Sequence, residues 1–423
     1  DHLKLNHPSN SGSADLCAYF IRQAINLLSK NGAFGLILSD VVSQGDSRDV
    51  GLGHILQNGS DIFYAIKSMD WPGSDAGVKI AIVCASKLNF HGEKLLNGQG
   101  TTRINSSLSS GSDIDIKPLK DNQEICYSGH YLGSRGFVID KELALRLDKS
   151  SAGCVFPYYK GEDVNSDKNI WAEEYAIYFN QMSLSEVKEK YPEALSHVEE
   201  HVKPDKDKAK RDRVRELWWQ YNETRPGLMA AINDLNMVIV QPFTFKYLCP
   251  TLVPSGCIYA HPMAVFARND IGFLGILWSS VHWLWTNINC STSLNLYRYT
   301  ASSIVDTFPI FECAEKQQVI SAANNFVSAM NELRSQLSIS QLALLNHFND
   351  PKCNDSGILS LRVLRNNLDK SILDSYMENS TRVGYEFYID EDRGITHYTF
   401  DELTRSSVFD MLKEKNGEKQ TPM

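Results

Sequence analysis

The 423-residue chain is short of positive charge, of paired cysteines and of long apolar runs. Each shortage narrows what it can be. No stretch approaches the roughly 20 consecutive apolar residues of a membrane helix. The longest apolar run, near Ile271–Trp285, is broken by Ser279, Ser280 and His282. No membrane partner is expected, and Asp1-His-Leu-Lys-Leu is not the start of a signal peptide. The nine cysteines are odd in number, widely spaced and without a C-x-x-C pair. They read as reduced thiols of a cytoplasmic protein, with neither a disulfide framework nor a zinc site. No P-loop, metal-ligand cluster or Ser-His-Asp constellation stands out. Gly51-Leu-Gly53 and Gly98-Gln-Gly100 have the letters of a phosphate-cradling turn. Neither follows a strand and opens a helix, so both read as turn or cap glycines. No Asn-Pro-Pro or Asp-Pro-Pro occurs anywhere.

The net charge of −9 argues against a uniformly nucleic-acid-binding surface, because phosphate contacts need Lys and Arg. Any such role requires the basic residues to be concentrated. Lys203, Lys206, Lys208, Lys210, Arg211, Arg213 and Arg215 cluster in this way, but Asp205, Asp207 and Asp212 interleave with them, and a solvated helix accounts for the pattern.

What is present is ordinary globular composition, 43% hydrophobic, in a length suited to two to four domains. Residues 14–30 carry Leu16, Tyr19, Phe20, Ala24, Leu27 and Leu28 at helical spacing, with Ser13 or Asp15 as cap. Ala33–Leu38 is a short buried-type strand, a helix spans about Asp46–Gln57, and Ile62–Ser68 and Val78–Ser86 are further strands. This succession predicts an α/β sheet covered on both faces. A polar Gly/Ser-rich stretch at 96–111 reads as a linker. Residues 112–312 mix short strands such as Met237–Gln241 with helices such as Leu184–Lys190 and Arg211–Tyr221 in an α+β pattern, and 313–423 form a mostly helical segment with a loop at Asn349–Gly357, a strand-like Val383–Tyr388 and a helix-like Asp401–Lys415.

Several strings, in order, resemble the MmeI-type restriction–modification enzymes, which fuse endonuclease, adenine-N6 methyltransferase and target-recognition parts. They are Gly12-Ser-Ala-Asp15 through Tyr19-Phe20, Gly35-Leu-Ile-Leu-Ser-Asp40 with Ser43-Gln44-Gly45-Asp46-Ser47-Arg48, and Trp71-Pro72-Gly73 with Val78–Val83. Val202-Lys203-Pro204, Trp218-Trp219-Gln220-Tyr221 and Arg225-Pro226 follow, then Tyr297-Arg298-Tyr299-Thr300 through Pro309, and finally Ile358–Leu368 with Ser375-Tyr376. Where the family often has Tyr-Gly-Trp, this chain has Tyr376-Met377-Glu378.

The resemblance implies a partial class I Rossmann-like methyltransferase sheet (1–95), a target-recognition domain (112–312) and the helical segment behind it. Asp1 would lie just past the family's catalytic Asn-Pro-Pro-Phe, leaving no catalytic residue in this chain. S-adenosylmethionine would then be held by the full-length enzyme and not by this chain alone. The implied partners are double-stranded DNA and the missing N-terminal methyltransferase, and possibly nuclease, region. The target adenine would be flipped from the duplex, because chemistry on a stacked base requires it. The alternatives are a stand-alone DNA-specificity module without catalysis, or a non-catalytic interaction domain.

Candidate DNA contacts are Gln44 and Arg48, on a loop at a strand end where open α/β sheets place ligands. The competing reading of that loop is a capping turn, with Asp46 or Ser47 as the cap. In turn-rich segments, Thr244, Lys246, Tyr247, Ser291, Thr292, Asn295 and Arg298 carry groups that bind base edges or phosphates. Arg298 leads this group, with a domain-edge salt bridge as its alternative. Trp71 is the candidate wall of a target-base pocket, or a packed turn indole. His261 and His282 read as satisfied core histidines.

Overall fold

In a computed structural model, the described residues are 14–72, 78–110, 116–150, 153–293, 295–377, 382–391 and 393–420. Asp1, Gly12, Ser13, Gly73 and Glu378, named above, lie outside them. The fold is mixed α/β. Chain contacts divide it into two units, the first made of Asp1–Lys117, Thr286–Arg298 and Glu391–Gly394 and the second of the remainder.

The first unit is built on a five-stranded sheet. Helix α1 (Leu16–Leu27) starts at Asp15, whose side chain accepts the Cys17 N–H. Strand β1 (Ala33–Ser39) follows, then β2 (Asp61–Asp70), β3 (Lys79–Ser86), β4 (Lys94–Leu96) and β5 (Gln99–Thr101), in the order β1-β3-β2-β4-β5. Both of β3's pairings are antiparallel, and β2 and β4 run parallel. The expected helix near 46–57 is a succession of short helical turns, Gly45–Arg48, Asp49–Gly53 and His54–Gln57.

Alternation along β1 sends Phe34, Leu36 and Leu38 to the face that packs with Ala81, Val83 and Ala85. Helix α1 completes that core with Cys17, Ile21 and Ile25. Of the stripe read from the sequence, Leu28 packs against this core, while three other large members face away. Leu16, Phe20 and Leu27 are 59%, 64% and 76% exposed. On the second face of the sheet, Ile37 is 57% exposed and Ile66 and Ile82 are only half-buried. Among the described residues, no strand pairs with the outer edge of β1.

In the second unit, strands Thr251–Pro254, Met237–Pro242, Met263–Phe266 and Cys126–Ser128 form one sheet, in that order. A second sheet orders Ile258–Tyr259, Val155–Tyr159, Glu174–Ile177 and Val138–Ile139. Helix α2 (Ile271–Trp278) is apolar on nearly every side. It packs against α3 (Gln317–Leu337), which in turn packs on α4 (Ser356–Leu373). Gly275 permits this closeness, since a Cβ there would lie 2.4 Å from the Ala323 Cβ on α3, and a Cβ on Gly272 would lie 2.0 Å from the Ala314 carbonyl oxygen in the turn before α3. The C-terminal portion adds a hairpin, Tyr385–Asp390 with Ile395–Phe400, and helix α5 (Glu402–Glu418) capped by Asp401. No helix among the described residues is long and apolar enough to cross a membrane.

Candidate nucleic-acid interface

Strand β1 ends at Ser39, and the chain turns through Asp40–Ser43 into Gln44 and Gly45. Gly45 has φ +48°, a left-handed conformation that costs a side-chain-bearing residue free energy. Ser47 then points inward, and its Oγ accepts the Asp15 N–H at 2.8 Å, tying the turn to the start of α1. Gly51 sits against the same helix, where a Cβ would lie 3.0 Å from the Ala18 Cα. These two contacts fix the turn that carries Arg48. The N-cap position of Gly45–Arg48 is Gln44, so neither Asp46 nor Ser47 is the cap; Ser47 is used to anchor α1 instead.

The turn forms one wall of a polar cleft of about 100 Å3 within the first unit. Four cations line it: Arg48, Lys67 on β2, Lys79 on β3, and Arg393. Asp40 is its one carboxylate, with Ser43, Ser68, Ser107 and the segment Asn287–Cys290 completing the lining. Burial pushes the Asp40 carboxyl above its ordinary pKa, while a bond from Ser68 Oγ (3.4 Å) and the charges of Lys79 and Arg393 pull it back. Arg48 contacts Asp49 at 2.8 Å and Lys79 contacts Asp70 at 3.0 Å, both at the exposed side. Exposed pairs of this kind are worth at most about 1 kcal/mol and exchange readily for another anion. The buried Asn287 Oδ1 has no hydrogen-bond partner within the protein. A chain of net charge −9 thus gathers four cations around one carboxylate, which suits an anionic ligand with several oxygens.

Gln44 and Arg48 therefore stand at the cleft. Ser291 and Arg298 are paired at the base of a hairpin, Ser291–Ser293 with Leu296–Arg298, that continues directly from the Asn287–Cys290 wall. Asn295 and Arg298 are exposed; the Thr292 side chain lies outside the described residues. Trp71 follows β2, half-exposed, with its backbone N–H donated to the Val78 carbonyl.

Thr244, Lys246 and Tyr247 belong to the second unit. Thr244 is exposed. Lys246 Nζ donates to Asn346 Oδ1 at 2.8 Å and lies over the Tyr247 ring. Tyr247 itself is buried, edge-on to His397, so it backs the surface without forming it. Sequence reasoning did not single out Lys67 or Arg393. Lys67 had a signal, a cation interrupting an otherwise apolar strand, whereas Arg393 had none.

The glycine pairs are taken up in turns and packing. Gly51 and Gly53 are inside a helical turn packed on α1, and Gly98 supplies the φ +80° turn between β4 and β5. Among the described residues, no three His, Cys, Asp or Glu side chains are grouped to hold a metal ion.

No protein-family profile matches the chain. It is 22% identical over 321 residues to DNA methyltransferase A of Bacillus subtilis (strain 168), a match covering 72% of this chain and 35% of that protein. Its structure is similar to that of the type IIL restriction-modification enzyme MmeI solved in complex with DNA, with a TM-score of 0.71 and 17% identity, over 99% of this chain and 55% of that one. The chain therefore spans about a third and about half of the lengths of these two relatives. Over nearly its whole length, this chain has the fold of a type IIL restriction-modification enzyme.

Proposed function

We propose that the chain is the C-terminal part of a site-specific DNA adenine-N6 methyltransferase of a restriction–modification system, and that it contributes target recognition. The observation that carries this reading is the cleft of Arg48, Lys67, Lys79 and Arg393, continuous with the hairpin that bears Ser291 and Arg298, in a fold shared with an enzyme solved on DNA. The cleft would hold the backbone of duplex DNA. Hairpin residues Ser291, Asn295 and Arg298 would reach base edges, since backbone contacts position and base contacts specify. Trp71 would stand beside an adenine swung out of the duplex.

The β1 edge, unpaired among the described residues, and the exposed Leu16, Phe20, Leu27 and Ile37 support the partial-domain part of the reading. An apolar sheet face and an unpaired edge strand are features that folded domains normally cover. The missing N-terminal methyltransferase region would supply that cover. S-adenosylmethionine belongs to that region as well, because the glycines present here are occupied in turns and packing and do not fit a cofactor. The isolated chain is accordingly expected to retain no S-adenosylmethionine in equilibrium dialysis and to transfer no methyl group. Robust methylation of duplex DNA by these 423 residues alone would overturn the partial-domain reading.

DNA binding has its own test. Fluorescence anisotropy with a labelled duplex, repeated over a range of salt, should give an affinity that falls steeply as salt rises. Arg48→Ala and Lys67→Ala should each flatten the slope of log K against log salt by about 1. Arg298→Ala should weaken binding to the cognate site more than to other sequences. Affinity independent of salt would discard the cleft as a phosphate site. A second reading is a DNA-specificity module with no catalysis of its own, supported by the placement of Gly51, Gly53 and Gly98 in turns and packing. It makes the same binding prediction and differs only in needing no N-terminal partner.

A further inference from the structure

Helix Pro192–His201 of the second unit buries Ala194, Leu195 and Val198. His197 and His201 lie along its flank at positions i and i+4, the spacing at which side chains on a helix meet. Their rings do meet, with centroids 4.4 Å apart and planes tilted by 51°. Two imidazoles that share one metal ion, at about 2.0–2.1 Å per nitrogen and about 90–110° at the metal, have centroids roughly 4.5–5.2 Å apart. The pair stands next to the short end of that range.

One ring is already set as a ligand. His197 Nε2 lies 3.2 Å from the Gly136 carbonyl oxygen, which can only accept, so Nε2 carries the proton and Nδ1 presents a lone pair. Metal-binding histidines hold their other ring N–H on a carbonyl or carboxylate in this way. Burial, His201 and Arg146 lower the His197 pKa, outweighing the Gly136 carbonyl and Glu200, so the ring is neutral near pH 7. The carbonyl is itself held in place. A Cβ on Gly136 would lie 2.3 Å from the His201 carbonyl oxygen, so glycine lets this turn approach the helix end. Ser134 Oγ accepts the Gly136 N–H at 3.1 Å and donates to Asp205 Oδ2 at 2.7 Å.

The second ring is accessible. The His201 side chain is 49% exposed, and its Nε2 is 3.9 Å from the Glu200 carboxylate, beyond hydrogen-bond reach. Among the described residues, no third His, Cys, Asp or Glu is grouped with the pair, so a metal ion here keeps open positions for water. Imidazole ligands select ions such as Zn2+ and Ni2+ over Mg2+ and Ca2+, which take oxygen ligands.

We propose that His197 and His201 chelate a divalent ion of the zinc class at the surface, through His197 Nδ1 and a ring nitrogen of His201, tying the last turn of this helix to the turn at Gly136. The proposal does not depend on DNA binding or on the cationic cleft of the first unit.

The test is a titration of the full chain, carrying 15N-labelled histidine, with Zn2+ and separately with Mg2+, followed by NMR of the ring nitrogens. The expected result is a saturable shift of the His197 and His201 signals with Zn2+ and none with Mg2+. His201→Ala, at an exposed position where folding is not at stake, should weaken the Zn2+ response of His197 at least about tenfold, the scale on which even the outer partners of a metal ligand act. His197→Ala should weaken the response of His201 as much. Because His197 also braces Gly136, His201→Ala decides the matter if the His197 variant fails to fold. Zn2+ should also raise the thermal midpoint of the unaltered chain more than that of His201→Ala, since a ligand that binds only the folded state stabilises it. No saturable shift of the His197 and His201 signals with Zn2+, an equal shift with Mg2+, or an unchanged Zn2+ response of His197 in His201→Ala would overturn the chelate.

Discussion

Lowering the pH from 6.5 to about 4 is expected to remove about 3 kcal/mol of stability from the second unit through His130 alone. His282 is expected to remove about 5 kcal/mol more as the pH approaches about 3. Both imidazoles titrate near 6.5 when the chain is unfolded, and burial is the first cause of both depressions in the folded state. Below 6.5 the unfolded chain therefore takes up protons that the folded unit refuses, and proton uptake draws the equilibrium toward unfolding. The stabilisation is whole above 6.5 and drains away as the pH falls through the folded values.

The environments explain the size of the effect. His282 Nε2 is 2.8 Å from Tyr299 Oη, its ring is edge-on to Phe308, and no carboxylate is among the causes of its shift. His130 lies against Tyr178 and Tyr221, with Arg225 adding an unfavourable positive charge. A domain's whole stability is roughly 5–15 kcal/mol, so by about pH 3 these two residues together remove a large share of it. Urea titrations followed by tryptophan fluorescence at several pH values measure this directly. A midpoint that stays constant from 6.5 to 4 would refute it, and His130→Phe should remove its own share of the slope.

Asp369→Ala should cost about 3–5 kcal/mol, the range for breaking a buried charge pair from one side. Asp369 on α4 is fully buried, and one carboxylate oxygen accepts the Ser280 N–H at 2.7 Å. The other lies 3.6 Å from Arg365 Nε, close enough for an ion pair and too far for a hydrogen bond. Arg365 also donates to Ser280 Oγ at 2.8 Å, so three residues close one network where α4 meets the start of the helix after α2. Burial pushes the Asp369 pKa up, while Arg365 and the Ser280 bonds pull it down. Alanine strands both the guanidinium and the Ser280 amide. Asp369→Asn keeps an acceptor for that amide and should lose less. Thermal and urea unfolding of the two variants decide the matter, and a loss under about 1 kcal/mol for alanine would show that water replaces the carboxylate.

Much of the local structure was legible because local signals agreed with the tertiary result. Leu184–Lys190 has the boundaries read from its periodicity, and Ser183 and Glu186 form its capping box. Asp15 and Asp401 cap the helices they precede, and the loop near 349–357 separates two helices as expected. The expected helix over Arg211–Tyr221 shrinks to Asp212–Glu216, because Trp218, Trp219 and Tyr221 are drawn into the core and the chain bends to bury them. Ile395–Phe400 went unread as a strand; among the described residues its partner is the hairpin strand before it.

Helix α1 teaches a different lesson. Its periodicity was real, but both faces are apolar, and no count of spacing says which one this chain covers. His261 and His282 were expected to be satisfied. Each keeps an unpartnered Nδ1, and His261 is only half-buried. The candidate cleft was legible only at Gln44 and Arg48, because Lys67, Lys79, Asn287 and Arg393 come together through strand register and long-range return of the chain.

That return bears on how specificity can be exchanged between relatives. The wall Asn287–Cys290 and its hairpin are encoded far from the Gln44–Arg48 turn they face, between segments of the other unit. A graft cut at 112 and 312, the bounds proposed for target recognition, would transplant the wall while leaving Arg48, Lys67, Lys79 and Arg393 with the host. The cleft of such a chimera would be stitched from two parents. Matching that seam, more than the choice of base-reading residues, would set whether the hybrid holds its DNA.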